Sequence, residues 1–266
     1  MSEYLHIIFM ALFQGIAEFL PISSSGHLEL IGALFGIAED ERFTLSIVLH
    51  AGTLFAMLAF YFKDIIALFI RRQWRIIGAV IIGSVPAGTG GIALKLTGAE
   101  SYLHCLVLTG ICFMITGILL WGLKNIQKKE TEYTALEKIP YSSALFIGFL
   151  QMIAILPGIS RSGSTIFAGA KCRLAPEDNA KFSFLLAMAA IGGAALLEII
   201  SCLGKVDAAA HNLNIVHYGT GFVVSALCGY LALTLLLKLL KSKKLGYFGF
   251  YMFIIGTATI IYGIIK

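Results

Sequence analysis

Charge is what this chain has least of: Asp, Glu, Lys and Arg make up 13% of its 266 residues, against about 25% in an average soluble domain. With 58% hydrophobic residues and a mean hydropathy of +0.88, a water-soluble globule is excluded and lipid is the expected solvent. Cysteine is sparse too. The five, Cys105, Cys112, Cys172, Cys202 and Cys228, show no C-x-x-C spacing and lie mostly in apolar runs, so neither a disulfide framework nor a zinc site is indicated. Met1–Glu3 carries no basic stretch and no small-residue cleavage site follows, so no secretory leader is expected. The formal charge of +5 comes from basic residues flanking apolar runs, the pattern membrane orientation produces. Nucleic-acid binding is not expected.

What is present is a series of uncharged runs, each long enough for a bilayer crossing of about 20 apolar residues: Phe43–Phe62, Ile76–Leu94, Ser101–Leu123, Ala208–Leu237 and Leu245–Ile265. A sixth, Phe182–Leu203, qualifies if Glu198 sits near the headgroups, where a carboxylate costs less than at the centre.

The sequence also repeats itself. At an offset of 137, Gln14, Ile16 and Ala17 fall on Gln151, Ile153 and Ala154; Ile22, Ser23, Ser25 and Gly26 fall on Ile159, Ser160, Ser162 and Gly163; and Ser46 and Leu49 fall on Ser183 and Leu186. This favours an internal duplication. Each copy opens on an apolar segment broken by Pro, Gly and Ser, around Pro21–Gly26 and Pro157–Gly163. In the first, Tyr4–Leu20 and Leu28–Ile37 read as two half-helices joined by a polar turn. Irregular backbone at membrane depth survives only where protein or a water-filled cavity satisfies it, so both breaks are expected to be re-entrant and to line an internal site.

The expected fold is an all-α integral membrane protein with six transmembrane helices and two re-entrant helical hairpins meeting near the midplane. Residues 1–123 would form the first repeat, 124–140 a cytoplasmic linker and 141–266 the second repeat. Three crossings per repeat invert the second copy. With the N-terminus outside, fifteen of the 20 Lys and Arg fall in four inner loops: Lys63 to Arg75, Lys124 to Lys138, Lys171 to Lys181, and Lys238 to Lys244. Only Arg42, Lys95, Lys205 and Lys266 fall outside, with Arg161 inside the second hairpin. The positive-inside bias thus places both termini outside.

Charges within membrane segments mark function, and Glu18 and Arg161 are the clear cases. Gln14 and Glu18, four apart, share a helix face, and Ser24 and His27, three apart, share another if a half-helix restarts after the serines.

QGIAEFLPISSSGHL (Gln14–Leu28) and PGISRSGSTI (Pro157–Ile166) resemble the two signature segments of the undecaprenyl-pyrophosphate phosphatase family, also called bacitracin-resistance proteins. The likeness covers nearly the whole chain in length and order, although only these two segments, about 25 residues, are specific. It implies hydrolysis of undecaprenyl pyrophosphate to undecaprenyl phosphate in the bacterial cell membrane, with dependence on Mg²⁺ or Ca²⁺. The expected partners are the prenyl pyrophosphate lipid and the bilayer, with a homodimer left open.

For that chemistry Arg161 suits phosphate binding, because its planar charged fork can take two oxygens. Ser160, Ser162, Gly163, Ser164 and Thr165 would add hydroxyls and N–H groups at the start of a half-helix. Ser24 is the expected nucleophile, His27 its base, and Glu18 orients the imidazole or, with Gln14, ligates the cation. Direct attack by water on the phosphorus stays open, with His27 or Glu18 as base. The family pattern allows Glu or Gln at position 14, and Gln here removes one negative ligand.

Blander roles exist for the same residues. Glu18 and Arg161 would serve as a structural ion pair, and the serines as turn formers. Glu29 is expected to snorkel toward the outer face, and His50 and Gln151 to hydrogen-bond between helices, with Gln151 near the site as the repeat partner of Gln14. A lipid-phosphate flippase or ion-coupled transporter fits the same architecture. The acid-phosphatase type of lipid phosphatase does not, because the position of its nucleophilic histidine, six beyond Arg161, is Phe167. Nothing points to a non-enzymatic scaffold.

Overall fold

A computed structural model describes residues 2–99, 103, 105–129, 132–203, 215–242 and 244–265. Ser101, Glu130, Lys205, Ala208, Lys243 and Lys266, and the side chains of Lys128, Lys129, Glu198 and Cys202, lie outside what is described.

Among the described residues the regular elements are helices, with one isolated bridge between Thr134 and Leu174. In chain order they are α1 (Ser2–Ala17), α2 (Ser24–Leu34), α3 (Glu39–Phe60), α4 (Phe62–Ile70), α5 (Trp74–Thr97), α6 (Leu106–Lys129), α7 (Tyr141–Ile153), α8 (Arg161–Lys171), α9 (Pro176–Leu203), α10 (Ile215–Lys241) and α11 (Phe248–Ile265). Five are long and apolar enough to cross a membrane: α5, α6, α9, α10 and α11. A sixth crossing forms if α3 and α4, bent 59° at their junction, count as one. The outward surface agrees with lipid. Leu96, Leu231, Ile254 and Ile264 are among many exposed aliphatic side chains, a density that water does not tolerate.

Two differences from the sequence reading have physical causes. The run Phe43–Phe62 is not one straight rod. It breaks at Tyr61, which is buried against Phe184, while Asp64 just beyond accepts a 2.6 Å hydrogen bond from Lys181 of α9. Helix α9 starts at Pro176, before the uncharged run at Phe182, since proline's fixed φ suits a first helical turn.

Short helices α1 and α2 precede long helices in the first half, and α7 and α8 do so in the second. Packing follows the same correspondence: α1 runs along α10 and α7 along α5. Helices α6 and α11 pair through glycines. A Cβ on Gly110 would lie 2.8 Å from the Gly256 carbonyl, and one on Gly249 3.0 Å from that of Gly117, so small residues set this approach.

Contacts sort the loops into two ends. At one, Arg75 Nε donates to the Ile139 carbonyl, the Leu136 amide to Asp178, and Lys241 pairs with Glu177. The four basic loops are therefore gathered together. At the other, Tyr4 bonds Thr220, and His6 stacks on Phe35 with ring centroids 4.2 Å apart. The α1–α2 pair thus begins and ends at one pole. The α7–α8 pair begins and ends at the basic pole, through Arg75 over the Tyr141 ring and the Thr134–Leu174 bridge.

The two breaks meet inside the bundle. A Cβ on Gly26 would sit 2.7 Å from the Gly158 nitrogen and one on Gly163 3.3 Å from Pro21 Cβ, and Ser162 Oγ donates to the Leu20 carbonyl at 3.2 Å. Thr116 of α6 clamps the second break, its hydroxyl donating to the Gly158 carbonyl and accepting from the Ser160 amide.

Candidate functional site

Glu18 extends the last turn of α1, its amide bonded to the Gln14 carbonyl at 3.0 Å. Pro21, lacking an N–H, closes off any further helix, and the chain turns through Ser23, a non-glycine residue at φ 63°, before α2 starts at Ser24. That turn returns Ser24 to Glu18. Ser24 Oγ donates to Glu18 Oε2 at 2.5 Å, and Gln14 Nε2 donates to the same oxygen at 3.0 Å. The other oxygen, Oε1, takes Nη2 of Arg161, the first residue of α8.

The carboxylate is 6% exposed, so each of these groups acts on it with little screening by water. A carboxylate buried this deeply persists only if paired and hydrogen-bonded, and the half-buried Arg161 supplies the opposite charge. The same carboxylate accepts the hydroxyl hydrogen of Ser24, which orients that oxygen and gives its proton somewhere to go.

His50 joins them from α3. Its Nε2 lies 3.5 Å from Glu18 Oε2, while Nδ1 is 2.8 Å from the Ser46 carbonyl. The carbonyl fixes the hydrogen on Nδ1, because a carbonyl only accepts. Sequence reasoning assigned His50 an interhelical bond and missed its place beside Glu18. The available signal was an ionisable group in the middle of an apolar run.

His27 has other partners than expected. Its Nδ1 is 2.8 Å from the Ser23 carbonyl and its Nε2 2.7 Å from Tyr251 Oη, with the ring packed among Phe13, Phe113 and Tyr251. Both nitrogens are engaged, and neither faces Ser24 or Glu18. The cause lies in the turn: Ser24 Oγ points back to Glu18, whereas the His27 ring points out toward α11. What His27 holds is the Ser23 carbonyl, at the left-handed residue that aims Ser24.

Around Arg161, the hydroxyls expected to cradle phosphate secure the break. Ser160 Oγ caps α8 by accepting from the Gly163 amide at 3.1 Å. Ser162 Oγ donates to Leu20, and Thr165 Oγ1 donates to the Arg161 carbonyl at 2.9 Å and lies 2.5 Å from Ser183 Oγ. Arg161 Nη1 has no partner among the described residues. Helices α2 and α8 both start at the meeting point, so two positive helix ends open there.

Glu29 does not snorkel as expected. Its Oε2 accepts from Thr109 Oγ1 of α6 at 3.0 Å, which turns the carboxylate toward the protein.

The donor set can be tested against a divalent cation. Among the described residues no three His, Cys, Asp or Glu side chains cluster as a metal site, so a closed cage is excluded there. Gln14 Oε1 is buried without a partner beside the Glu18 carboxylate. One carboxylate plus one amide oxygen fits a hard cation that takes its remaining ligands from phosphate and water.

The family model described as bacitracin resistance protein BacA matches residues 7–258. An undecaprenyl-diphosphatase of Rhodopirellula baltica is 38% identical, the match covering 94% of this chain and 95% of the relative. One from Carboxydothermus hydrogenoformans is 37% identical over 96% and 95%, and one from Methanosphaera stadtmanae 36% identical over the full length of both.

Proposed function

The chain belongs to the bacitracin resistance protein family, and from that premise we propose that it is a membrane phosphatase that hydrolyses undecaprenyl pyrophosphate. The products are undecaprenyl phosphate and inorganic phosphate, so the enzyme returns carrier lipid to the synthesis of peptidoglycan and other wall polymers and confers resistance to bacitracin. The observation that carries the residue assignment is the carboxylate of Glu18, held between the Ser24 hydroxyl and the Arg161 guanidinium.

Ser24 passes its proton to Glu18 as its oxygen attacks the terminal phosphorus. The bond from that phosphorus to the bridging oxygen breaks, and undecaprenyl phosphate leaves with the bridging oxygen and the proton that Glu18 had taken up, which returns Glu18 to its carboxylate form. Water then cleaves the phosphoserine, Glu18 being the base for the water proton and Ser24 recovering its hydrogen. Arg161 stabilises the negative charge on the phosphoryl oxygens. Gln14 keeps Glu18 turned toward Ser24, His50 stands beside that carboxylate, and His27 keeps the Ser23–Ser24 backbone in place. Ser160, Ser162, Gly163 and Thr165 hold Arg161 at the head of α8. Gln14 and Glu18 would hold a Mg²⁺ or Ca²⁺ ion, which when bound supplies positive charge to the pyrophosphate oxygens.

The helix order supports a duplicated fold in which α1–α2 and α7–α8 are re-entrant hairpins entering from opposite faces and meeting near the midplane. Residues 1–123 and 141–266 are the repeats, joined by a cytoplasmic linker at 124–140. The gathering of the basic loops at one pole supports a cytoplasmic position for that pole. Both termini then lie outside the cell membrane, with the site open to the outer face, where carrier lipid is released after polymer transfer.

The test is phosphate release from a long-chain prenyl pyrophosphate by purified protein in detergent, with Mg²⁺ or Ca²⁺ and with chelator. Turnover that chelation abolishes is expected. No turnover with either ion would contradict a hydrolase and favour a carrier, since detergent leaves no gradient to drive transport.

A further inference from the structure

Gln151 is the polar side chain least explained by the packing. It lies on the buried face of α7 with Ala144, Ile147 and Gly148, is 2% exposed, and neither its amide nitrogen nor its oxygen has a partner among the described residues. A buried amide without partners is strongly disfavoured.

The internal repeat indicates where it points. Gln151 is the counterpart of Gln14. Next to Gln14, Gly15 abuts the Ser225 carbonyl of α10; next to Gln151, Met152 abuts Gly90 of α5. The two helices rest on corresponding neighbours, so the two glutamines turn to corresponding sides. Gln14 shares Glu18 Oε2 with Ser24, the first residue of α2. The counterpart of Ser24 is Arg161, the first residue of α8, and the counterpart of Glu18 is Ile155, which offers no acceptor. On that correspondence Gln151 would turn toward α8, which packs against α7, and the repeat gives it no carboxylate to bond.

Two further buried atoms at the head of α8 share its condition. Arg161 Nη1 and Ser164 Oγ have no partner among the described residues, and Ser164 sits one turn beyond Arg161 on the same helix face. Guanidinium, amide and hydroxyl donors beside a positive helix end suit phosphate oxygens.

We propose that Gln151, Ser164 and Nη1 of Arg161 form a second phosphate subsite, which holds the lipid-linked phosphate while Ser24 attacks the terminal one. The subsite rests on the hydrolase reading and deepens it: it makes the enzyme selective for a pyrophosphate over a monophosphate.

The test compares wild type with Gln151→Leu and Ser164→Ala, purified in detergent. Phosphate release from farnesyl pyrophosphate gives kcat and KM, and calorimetric titration gives the affinities for inorganic pyrophosphate and inorganic phosphate. For Gln151→Leu, KM rises and pyrophosphate affinity falls by about tenfold, the scale of a hydrogen bond to a charged group. Its kcat and phosphate affinity stay within about twofold, and its melting temperature holds or rises, because an unpaired buried amide is replaced by an apolar group. Ser164→Ala shifts the same quantities in the same direction. Unchanged KM and pyrophosphate affinity in both variants would overturn the subsite, as would lowered melting with loss of kcat alone. If wild type releases no phosphate, the hydrolase reading fails, while the pyrophosphate titrations still decide the subsite.

Discussion

Glu18, Ser24 and Arg161 are legible in the sequence because each interrupts an apolar run beside a helix break, and the structure brings them into contact. The histidines are harder to read. A spacing of three suggests that His27 shares a face with Ser24, but the Ser23 backbone at φ 63° redirects Ser24, and no composition signal announces that conformation. His50 takes the place beside Glu18 from a helix far along the chain. These placements separate two substitutions. Ser24→Ala is expected to cut turnover by at least about a thousandfold, as loss of a nucleophile does, with little change in melting temperature. His27→Ala is expected to lower the melting temperature as well, by the equivalent of about 2–5 kcal/mol for a truncated buried ring. Thermal melts beside activity assays check both, and a His27→Ala protein that melts like wild type while losing all turnover would return His27 to the chemistry.

At the scale of elements, the helix breaks before α2 and α8 were visible from Pro21, Pro157 and the flanking Gly and Ser. The bend between α3 and α4 was not, since the break at Tyr61 comes from a tertiary anchor rather than from Pro or Gly. Nor does the sequence show how closely the breaks approach each other. Gly26 carries that approach, since a Cβ there would lie 2.7 Å from the Gly158 nitrogen, and Gly158 in turn, at φ 95°, lies so close to α6 that a Cβ there would collide with the Thr109 carbonyl. Gly158→Ala is expected to lose about 1–3 kcal/mol from backbone strain alone, and more from the clash. It would lose phosphatase activity together with stability, because Thr116 holds Gly158 and Ser160 as one unit. Urea denaturation and an activity assay on the variant check this; wild-type behaviour in both would mean the breaks are loosely coupled.

For the whole molecule, composition foretold the lipid environment and the count of charges foretold which loops lie together, whereas which half touches which came only from the structure. Orientation is checked with cysteine chemistry. Native Cys105 is exposed at the start of α6, at the end away from the basic loops. A membrane-impermeant maleimide is expected to label it in intact cells, and to label Glu137→Cys, in a Cys105→Ser background, only after the membrane is opened; the reverse pattern would place the site toward the cytoplasm. The central claim is that one catalytic centre is assembled from both halves, and a double-mutant cycle on Ser24→Ala and Arg161→Ala tests it most directly, with kcat/KM for a prenyl pyrophosphate as the readout. Residues that act as a unit are strongly non-additive, so the double variant is expected to be no more than about threefold slower than the slower single variant. Losses that multiply in full would contradict a shared centre.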